Sequence, residues 1–387
     1  MHIVILPSWY PAYKHDISGS FFREQALALK RDGHNVGVIV LQVRSLRDIK
    51  GIFLKPYGYD FQIDEGMQTL RWHTVNFFPF PSMVQKRWIN IGLKLFDEYI
   101  KKYGRPNIIH VHSLLNAGYV AYEIYKKYGI PYVVTEHSTS YARNLVPDVV
   151  IENLKPVVEK AKARLAVSQE FTRLLAEKFQ GFNWDYLPNI VNLDFFENLS
   201  TVNNSDFTLI NICLLTKKKR VDILIRAFAE VLKVIPNLKL KIGGDGAEKY
   251  HLKNLTKELN ISDSVTFLGL LSRGQVKYEI SKASAFVLSS EYETFGVVLI
   301  EALAVGKPVI ATKCGGPESI VVPEVGYLVE KNSVSDLKSA IIDLYDNYNK
   351  FNSVEIQQYC LKHFSEQAVV KRLDEIYQRI ILGEQKL

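Results

Sequence analysis

Residues 289–320 read SSEYETFGVVLIEALAVGKPVIATKCGGPESI. The apolar run just before, Ala283 to Leu288, predicts a strand, and Val297 to Ala304 predicts a helix of mostly apolar residues packed against a sheet. Two carboxylates eight residues apart, Glu293 and Glu301, with Thr294, Phe295 and Gly296 behind the first, therefore stand at a strand-to-helix turn. Backbone N–H groups point outward there and the helix dipole favours negative charge, so hydroxyls and phosphates dock. Gly296 lets a ligand approach the backbone closely. Two separated carboxylate acceptors, with no His or Asp at ligand spacing, suit a polyol such as a sugar and a ribose better than a metal. The plainer alternative is a pair of solvated glutamates flanking a buried helix.

The surrounding motifs bear on that choice. Glu-x7-Glu with Phe-Gly behind the first Glu, followed by GKPVIAT (306–312) and GGPESI (315–320), resembles the signature of the retaining, nucleotide-sugar-dependent glycosyltransferases of family 4, which have the GT-B fold. The resemblance implies that Glu293, Phe295, Gly296 and Val297 hold the donor sugar and that Glu301 holds the ribose.

At 387 residues the chain exceeds one compact core and fits two domains; 47% hydrophobic and 23% charged residues describe an ordinary globular protein. No apolar run reaches the roughly eighteen residues that span a bilayer, and MHIVILPSWYP lacks a basic leader region, so a cytoplasmic location is expected. Cys213, Cys314 and Cys360 are scattered, which argues against a disulfide framework and a zinc site. The net charge of +7 favours an anionic partner. The basic residues form no single tract and no nucleic-acid motif, which excludes nucleic acid and leaves the inner membrane face as an open peripheral contact.

Along the chain, His2 to Leu6 and Asn35 to Leu41 predict strands around a helix, Gly19 to Arg31, which is a βαβ opening and implies a parallel sheet. SWYP (8–11) followed by GSFFREQA (19–26) resembles the opening of bacterial family members that build surface polysaccharide, so Gly19 is assigned to the donor diphosphate and the acceptor. The stretch RWHTVNFFPFPSMVQKRW (71–88) mixes Trp72, Phe77, Phe78, Phe80 and Trp88 with Lys86 and Arg87; Pro79 and Pro81 argue against a regular helix. Exposed, these residues suit a membrane interface or a lipid-linked acceptor; buried, they are core.

His110 and His112 share one face of a predicted strand and His137 follows another, with no carboxylate placed to complete a metal set. A His at the carboxyl end of a parallel strand lies where doubly wound sheets bind ligands. The family's Thr-x-His context makes His137 the cleft histidine and leaves His110 and His112 structural. YLPNIVNLDFF (186–196) resembles the family's domain crossover, and polar residues from Asn198 to Asp206 mark a linker. TKKKRVDILIRAF (216–228) resembles the family's Arg-x4-Lys followed by Gly-Val-Asp; matched on Val221-Asp222, the resemblance implies that Lys219 is the diphosphate-binding lysine. Two departures stand out: Leu214 replaces an Arg, and Arg220 replaces a Gly, leaving Lys217, Lys218 or Arg220 as substitute cations. GGDGAE (243–248) and VTFLG (265–269) resemble loops near the nucleotide.

The expected architecture is α/β, GT-B, with two doubly wound Rossmann-like domains facing across a cleft. Residues 1–195 form the acceptor-side domain and 206–365 the nucleotide-sugar-binding domain, and a C-terminal helix over 366–387 crosses back to the first. The resemblance implies transfer from a nucleoside-diphosphate sugar (UDP- or GDP-linked) to a glycan or lipid-linked acceptor in surface polysaccharide synthesis. Anomeric configuration is retained, and neither metal nor cofactor is required. Lys219, Glu293 and His137 are the catalytic candidates. The competing readings are a catalytically silent sugar-nucleotide-binding subunit, motivated by Leu214, and an epimerase on the same fold.

Overall fold

The computed structural model describes residues 1–12, 16, 19–44, 57–77, 81–192 and 206–383. They divide into two units. The first comprises Met1–Val167, Thr172–Pro188 and the chain from Val369 onward; the second comprises Ser168–Phe171 and Asn189–Ala368.

The first unit runs β1 (His2–Pro7), α1 (Ser20–Arg31), β2 (Asn35–Arg44), β3 (Gly58–Asp64), β4 (Met67–Val75), α2 (Pro81–Tyr103), β5 (Ile108–His112), α3 (Ala117–Tyr128), β6 (Tyr132–Glu136), α4 (Asp148–Lys160), β7 (Ala163–Ala166), α5 (Gln169–Lys178) and β8 (Asp185–Tyr186). Its sheet has eight strands in the order β3-β4-β2-β1-β5-β6-β7-β8, parallel except for β3 against β4. Strands such as HIVILP are almost wholly buried, as a parallel sheet covered on both faces requires.

The second unit contains β9 (Thr208–Ile212), α6 (Val221–Leu232), β10 (Lys239–Gly243), α7 (Lys249–Glu258), β11 (Val265–Gly269), α8 (Arg273–Lys282), β12 (Ala285–Leu288), α9 (Val297–Ala304), β13 (Val309–Thr312), β14 (Gly326–Val329), α10 (Val334–Asp346) and α11 (Ser353–Phe364). Helix α12 (Glu366–Leu382) follows and passes into the first unit at Val369. The second sheet has six parallel strands in the order β11-β10-β9-β12-β13-β14. Leu209, Leu240, Val287 and Ile310 from its strands pack with Phe228 of α6 and Ile341 of α10 in one apolar core. In both sheets the strand order reverses once, beside β1 and beside β9, and such a point is where open α/β sheets bind ligands.

One expectation is corrected. Pro81 does not break the aromatic and basic stretch; it opens α2, whose 23 residues continue through Trp88. A proline at the first helical position loses no intrahelical hydrogen bond and has its φ already set, so it starts a helix as readily as it stops one. Trp88 is core at 5% exposure, whereas Phe77 is exposed at 58%. Phe78, Pro79 and Phe80 lie outside the described residues, as do Tyr13 to His15, Ile17, Ser18 and most of the predicted linker. The β3–β4 hairpin turns on Glu65 and Gly66, both at positive φ, the conformation tight two-residue hairpin loops need. No described helix is long and apolar enough to cross a membrane.

Candidate active site

In the second unit, the loops after β9, β12 and β13 emerge together at the carboxyl edge of the sheet because those strands are neighbours. The loop after β9 tightens into a short 3-10 turn, Lys217–Lys219. Its carbonyls are tied to the loop after β12: Glu291 N–H donates to Lys218 O at 2.8 Å and Ser289 Oγ to Lys219 O at 3.0 Å. From the other side, Glu293 N–H donates to Cys314 O at 3.2 Å, and Thr312 Oγ1 donates to Ser290 O at 2.6 Å.

This stitching brings the Lys219 ammonium onto Glu293 Oε1, which also accepts from Ser290 Oγ at 3.0 Å. The pair is mostly enclosed, with 18% and 11% of the two side chains exposed. Burial pulls the Lys219 ammonium down, but the charge and hydrogen bond of Glu293 outweigh it and hold the lysine above its ordinary value. Two predicted residues 74 positions apart are thus one ion pair.

Phe295 is buried at 2% and packs edge-on to Phe364, so what it offers a ligand is backbone. Gly296 caps α9 at φ 103°, and Val297 begins the helix, presenting N–H groups that have no intrahelical acceptor. Glu301 stands in the next turn of α9, half-buried. The GGPE segment is built around this loop: a Cβ on Gly316 would lie 2.5 Å from Phe295 Cα and O, and Gly315 sits at φ 110°. Glu318 accepts the Gly315 N–H at 3.0 Å, and its burial raises its carboxyl above the usual range. The GGDGAE turn is just as confined, since Cβ atoms on Gly244 and Gly246 would strike the carbonyls of Cys213 and Leu215.

In the first unit, Gly19 caps α1 at φ 74°; a Cβ there would meet Trp9 Cδ1 at 3.0 Å and Phe22 Cδ2 at 3.1 Å. The glycine therefore seats Trp9 on the start of α1. Phe22 packs against both His112 and His137, at centroid distances of 4.8 and 4.7 Å. The three histidines, His137 with His110 and His112, form one buried column. His110 stacks on His112 at 4.3 Å, and His112 Nδ1 lies 3.1 Å from His137 Nε2. His110 is fixed at both nitrogens, by Tyr377 OH at 2.6 Å and Thr135 Oγ1 at 2.7 Å. Burial drives all three pKa values down, that of His110 to about 3, so the column is uncharged at neutral pH.

Glu136 ends β6, immediately before His137. Glu136 is buried and accepts N–H bonds from Leu114, His137 and Ser138, each at 2.8 Å, which leaves it holding two loops together. Burial raises its pKa against those bonds.

Residues 18–195 match the family profile described as Glycosyltransferase Family 4, and residues 195–359 match that of Glycosyl transferases group 1. The chain belongs to glycosyltransferase family 4. The family 4 chain has the GT-B fold: it aligns with sucrose-phosphate synthase from Thermosynechococcus elongatus over 99% of its own length and 100% of that chain, with a TM-score of 0.79 at 20% identity. It also aligns with Anabaena HepE in complex with UDP and glucose, over 98% and 99% of the two chains, with a TM-score of 0.72 at 16% identity. Among curated proteins it is 31% identical, over 183 residues, to N-acetyl-alpha-D-glucosaminyl L-malate synthase of Bacillus anthracis, covering 46% of this chain and 47% of that one. The chain spans about half the length of the curated relatives it matches.

The two departures from the family 4 pattern have physical consequences. Arg220 adopts φ 47°, the left-handed region in which the family's glycine costs nothing and any other side chain costs about 1 kcal/mol. Its guanidinium forks onto Asp222, at 3.1 Å from Nε and 3.0 Å from Nη2, and also reaches Asn332. Arg220 is thereby committed away from Lys219. Leu214, in the clamp arginine's place, is 57% exposed. Sequence reasoning missed Ser290 and Glu136. Ser290 had no signal beyond its place three residues before Glu293; Glu136 did have one, as a charge ending an otherwise apolar strand.

Proposed function

We propose that this chain transfers a glycosyl group from a nucleoside-diphosphate sugar to a glycan or lipid-linked acceptor, with retention at the anomeric carbon and without a metal ion. The observation that carries the reading is the enclosed Lys219–Glu293 pair beside the Gly296 cap of α9, at the point where the second sheet reverses its strand order. On this reading Glu293 accepts hydrogen bonds from donor-sugar hydroxyls. Lys219, released from Glu293, balances the charge that builds on the leaving diphosphate. The amides at the start of α9 add to that field, Glu301 accepts from the ribose, and the leaving phosphate oxygen takes the acceptor's proton on the same face. No protein nucleophile is then needed, and two carboxylates acting as hydrolytic acid and base are not called for. His137 and Gly19, at the carboxyl edge of the first sheet, belong to the acceptor side.

The relative crystallised with UDP and glucose makes UDP the first nucleotide to try. The test is a thermal-shift and calorimetric titration with UDP, GDP and ADP in EDTA, on wild type and Glu301→Ala. Metal-free stabilisation by one nucleotide, weakened in the variant, supports the reading; binding that requires a divalent ion overturns the metal-free part. Exposed Leu214 and the engaged Arg220 favour a second reading, a binder that holds the donor without turning it over. Acceptor-dependent release of nucleotide separates the two, and release of an altered sugar without acceptor would instead identify an epimerase.

A further inference from the structure

At the amino edge of the first sheet, away from Gly19 and His137, three side chains from distant parts of the chain converge. Asp32 caps the end of α1, His34 precedes β2, and Asp374 lies on α12. One ligand atom from each lies within 4.8 Å of the others. His34 Nε2 stands 2.7 Å from Asp374 Oδ1 and 3.7 Å from Asp32 Oδ2.

An ion pair alone accounts poorly for this contact. The His34 side chain is only 9% exposed, and its Nε2 and Asp374 Oδ1 are both buried. Close as they are, neither atom is in hydrogen-bond geometry with a partner among the described residues; the contacts of Nε2 are ion-pair distances to Asp374 and Asp32. A buried imidazole nitrogen and carboxylate oxygen normally satisfy one another in line. Here they do not, and both lie within 4.8 Å of a third ligand atom, from Asp32. Asp32, half-exposed, completes the set and leaves one side open to water.

We propose that Asp32, His34 and Asp374 bind a divalent transition-metal ion that fastens α12 to the α1–β2 turn. One imidazole nitrogen and two carboxylate oxygens with an open position suit zinc and its neighbours, whereas magnesium prefers oxygen alone. The other ring nitrogen, Nδ1, lies 3.2 Å from the Met1 nitrogen. That contact holds the imidazole plane in place and leaves Nε2 as the nitrogen free for an ion. The site is independent of the transferase reading, lies at the opposite strand edge from the acceptor-side residues, and has a structural role.

The test uses the full chain without an affinity tag, stripped with EDTA and returned to metal-free buffer. Zn²⁺ alone is titrated by calorimetry and thermal shift, with Mg²⁺ as the control. Wild type should bind one equivalent of Zn²⁺ and melt about 5 °C higher at a hundredfold excess over the Kd. His34→Gln, Asp374→Asn and Asp32→Asn should each weaken binding at least tenfold. Asp32 is exposed enough that its variant keeps the fold whatever the other two do. Co²⁺ should give visible ligand-field bands in wild type that His34→Gln abolishes. Absence of stoichiometric binding to wild type, or equal binding by wild type and Asp32→Asn, overturns the site and leaves an ion pair.

Discussion

Lys219 and Glu293 form a mostly enclosed ion pair across two loops that leave neighbouring strands, with Ser290 as the third member. On the proposed reading, the charge that would meet the diphosphate is held, before any ligand arrives, by the carboxylate that would meet the sugar. Removing one member leaves the other charge buried and unpaired, at a cost of about 3–5 kcal/mol. Lys219→Ala and Glu293→Gln should each lower the denaturant midpoint of the second unit. The double variant Lys219→Met with Glu293→Gln should recover much of that loss. Nucleotide release in the presence of acceptor should fall about 10²–10³-fold in each single variant, whereas a purely structural pair would leave turnover per folded molecule intact in the double variant.

Gly316→Ala should damage the same loop from behind. The added methyl lands 2.5 Å from Phe295 Cα and O, which is backbone and cannot step aside as a flexible side chain can. Overpacking costs about 1–3 kcal/mol, and the displaced Glu293–Gly296 segment should weaken nucleotide binding by calorimetry. Gly274→Ala, where a Cβ meets nothing within 4 Å, is the matched control and should leave binding unchanged.

Phe295→Ala tests whether this side chain is support or ligand contact. Its ring is buried against Phe364, so its loss should cost about 3–5 kcal/mol in chemical denaturation. Phe295→Leu keeps most of the volume and should retain nucleotide affinity within a few-fold, because only the backbone of this residue is expected to face the donor.

Arg220→Gly should relieve the left-handed conformation while giving up the fork onto Asp222. The two effects are each about 1 kcal/mol and of opposite sign, so the melting temperature should move little. Nucleotide affinity should hold as well, since Arg220 is directed to Asp222 and Asn332. A large loss of affinity would make Arg220 the replacement for the missing clamp arginine.

The histidine column makes the first unit acid-sensitive. Each ring is neutral when folded but takes a proton near pH 6.5 when unfolded, so the unfolded state binds more protons as pH falls. Stability is therefore full above about pH 6.5 and lost progressively below it, toward the His110 value of about 3. Between pH 7.5 and 5.5 each histidine should remove about 1.4 kcal/mol. Glu136 has the opposite sign: with its carboxyl raised by burial, the folded state takes that proton first, so its contribution grows as pH falls from the raised value to the ordinary carboxylate range and is constant below it. Thermal melts across this window should steepen as pH falls, and His110→Phe should flatten the slope by about one proton.

Much of the fold was legible because it is written in local patterns. Unbroken apolar runs mark strands buried on both faces, as at Ile3 to Leu6, and helix α9 spans Val297–Ala304, the mostly apolar run that predicts it. Some local signals went unread, such as the capping box of Ser272 and Gln275 that opens α8. The candidate site was legible only as separate motifs. Its glycines show why: each was visible as a glycine, but only the packed loops show that Gly316 is needed for Phe295 and Gly244 for Cys213.

By itself the sequence determined the alternation of strand and helix, the turns that carry the motifs, and the residue types present at each turn, because dihedral preference and burial periodicity act over a few residues. Tertiary structure alone decided that Lys219 meets Glu293, that His137 rests on His112, that Pro81 opens a helix, and that Asp374 comes to His34. Those outcomes depend on which strands lie side by side and where α12 docks. Pairing between remote segments is set by the burial of the whole core, which no short window of residues contains.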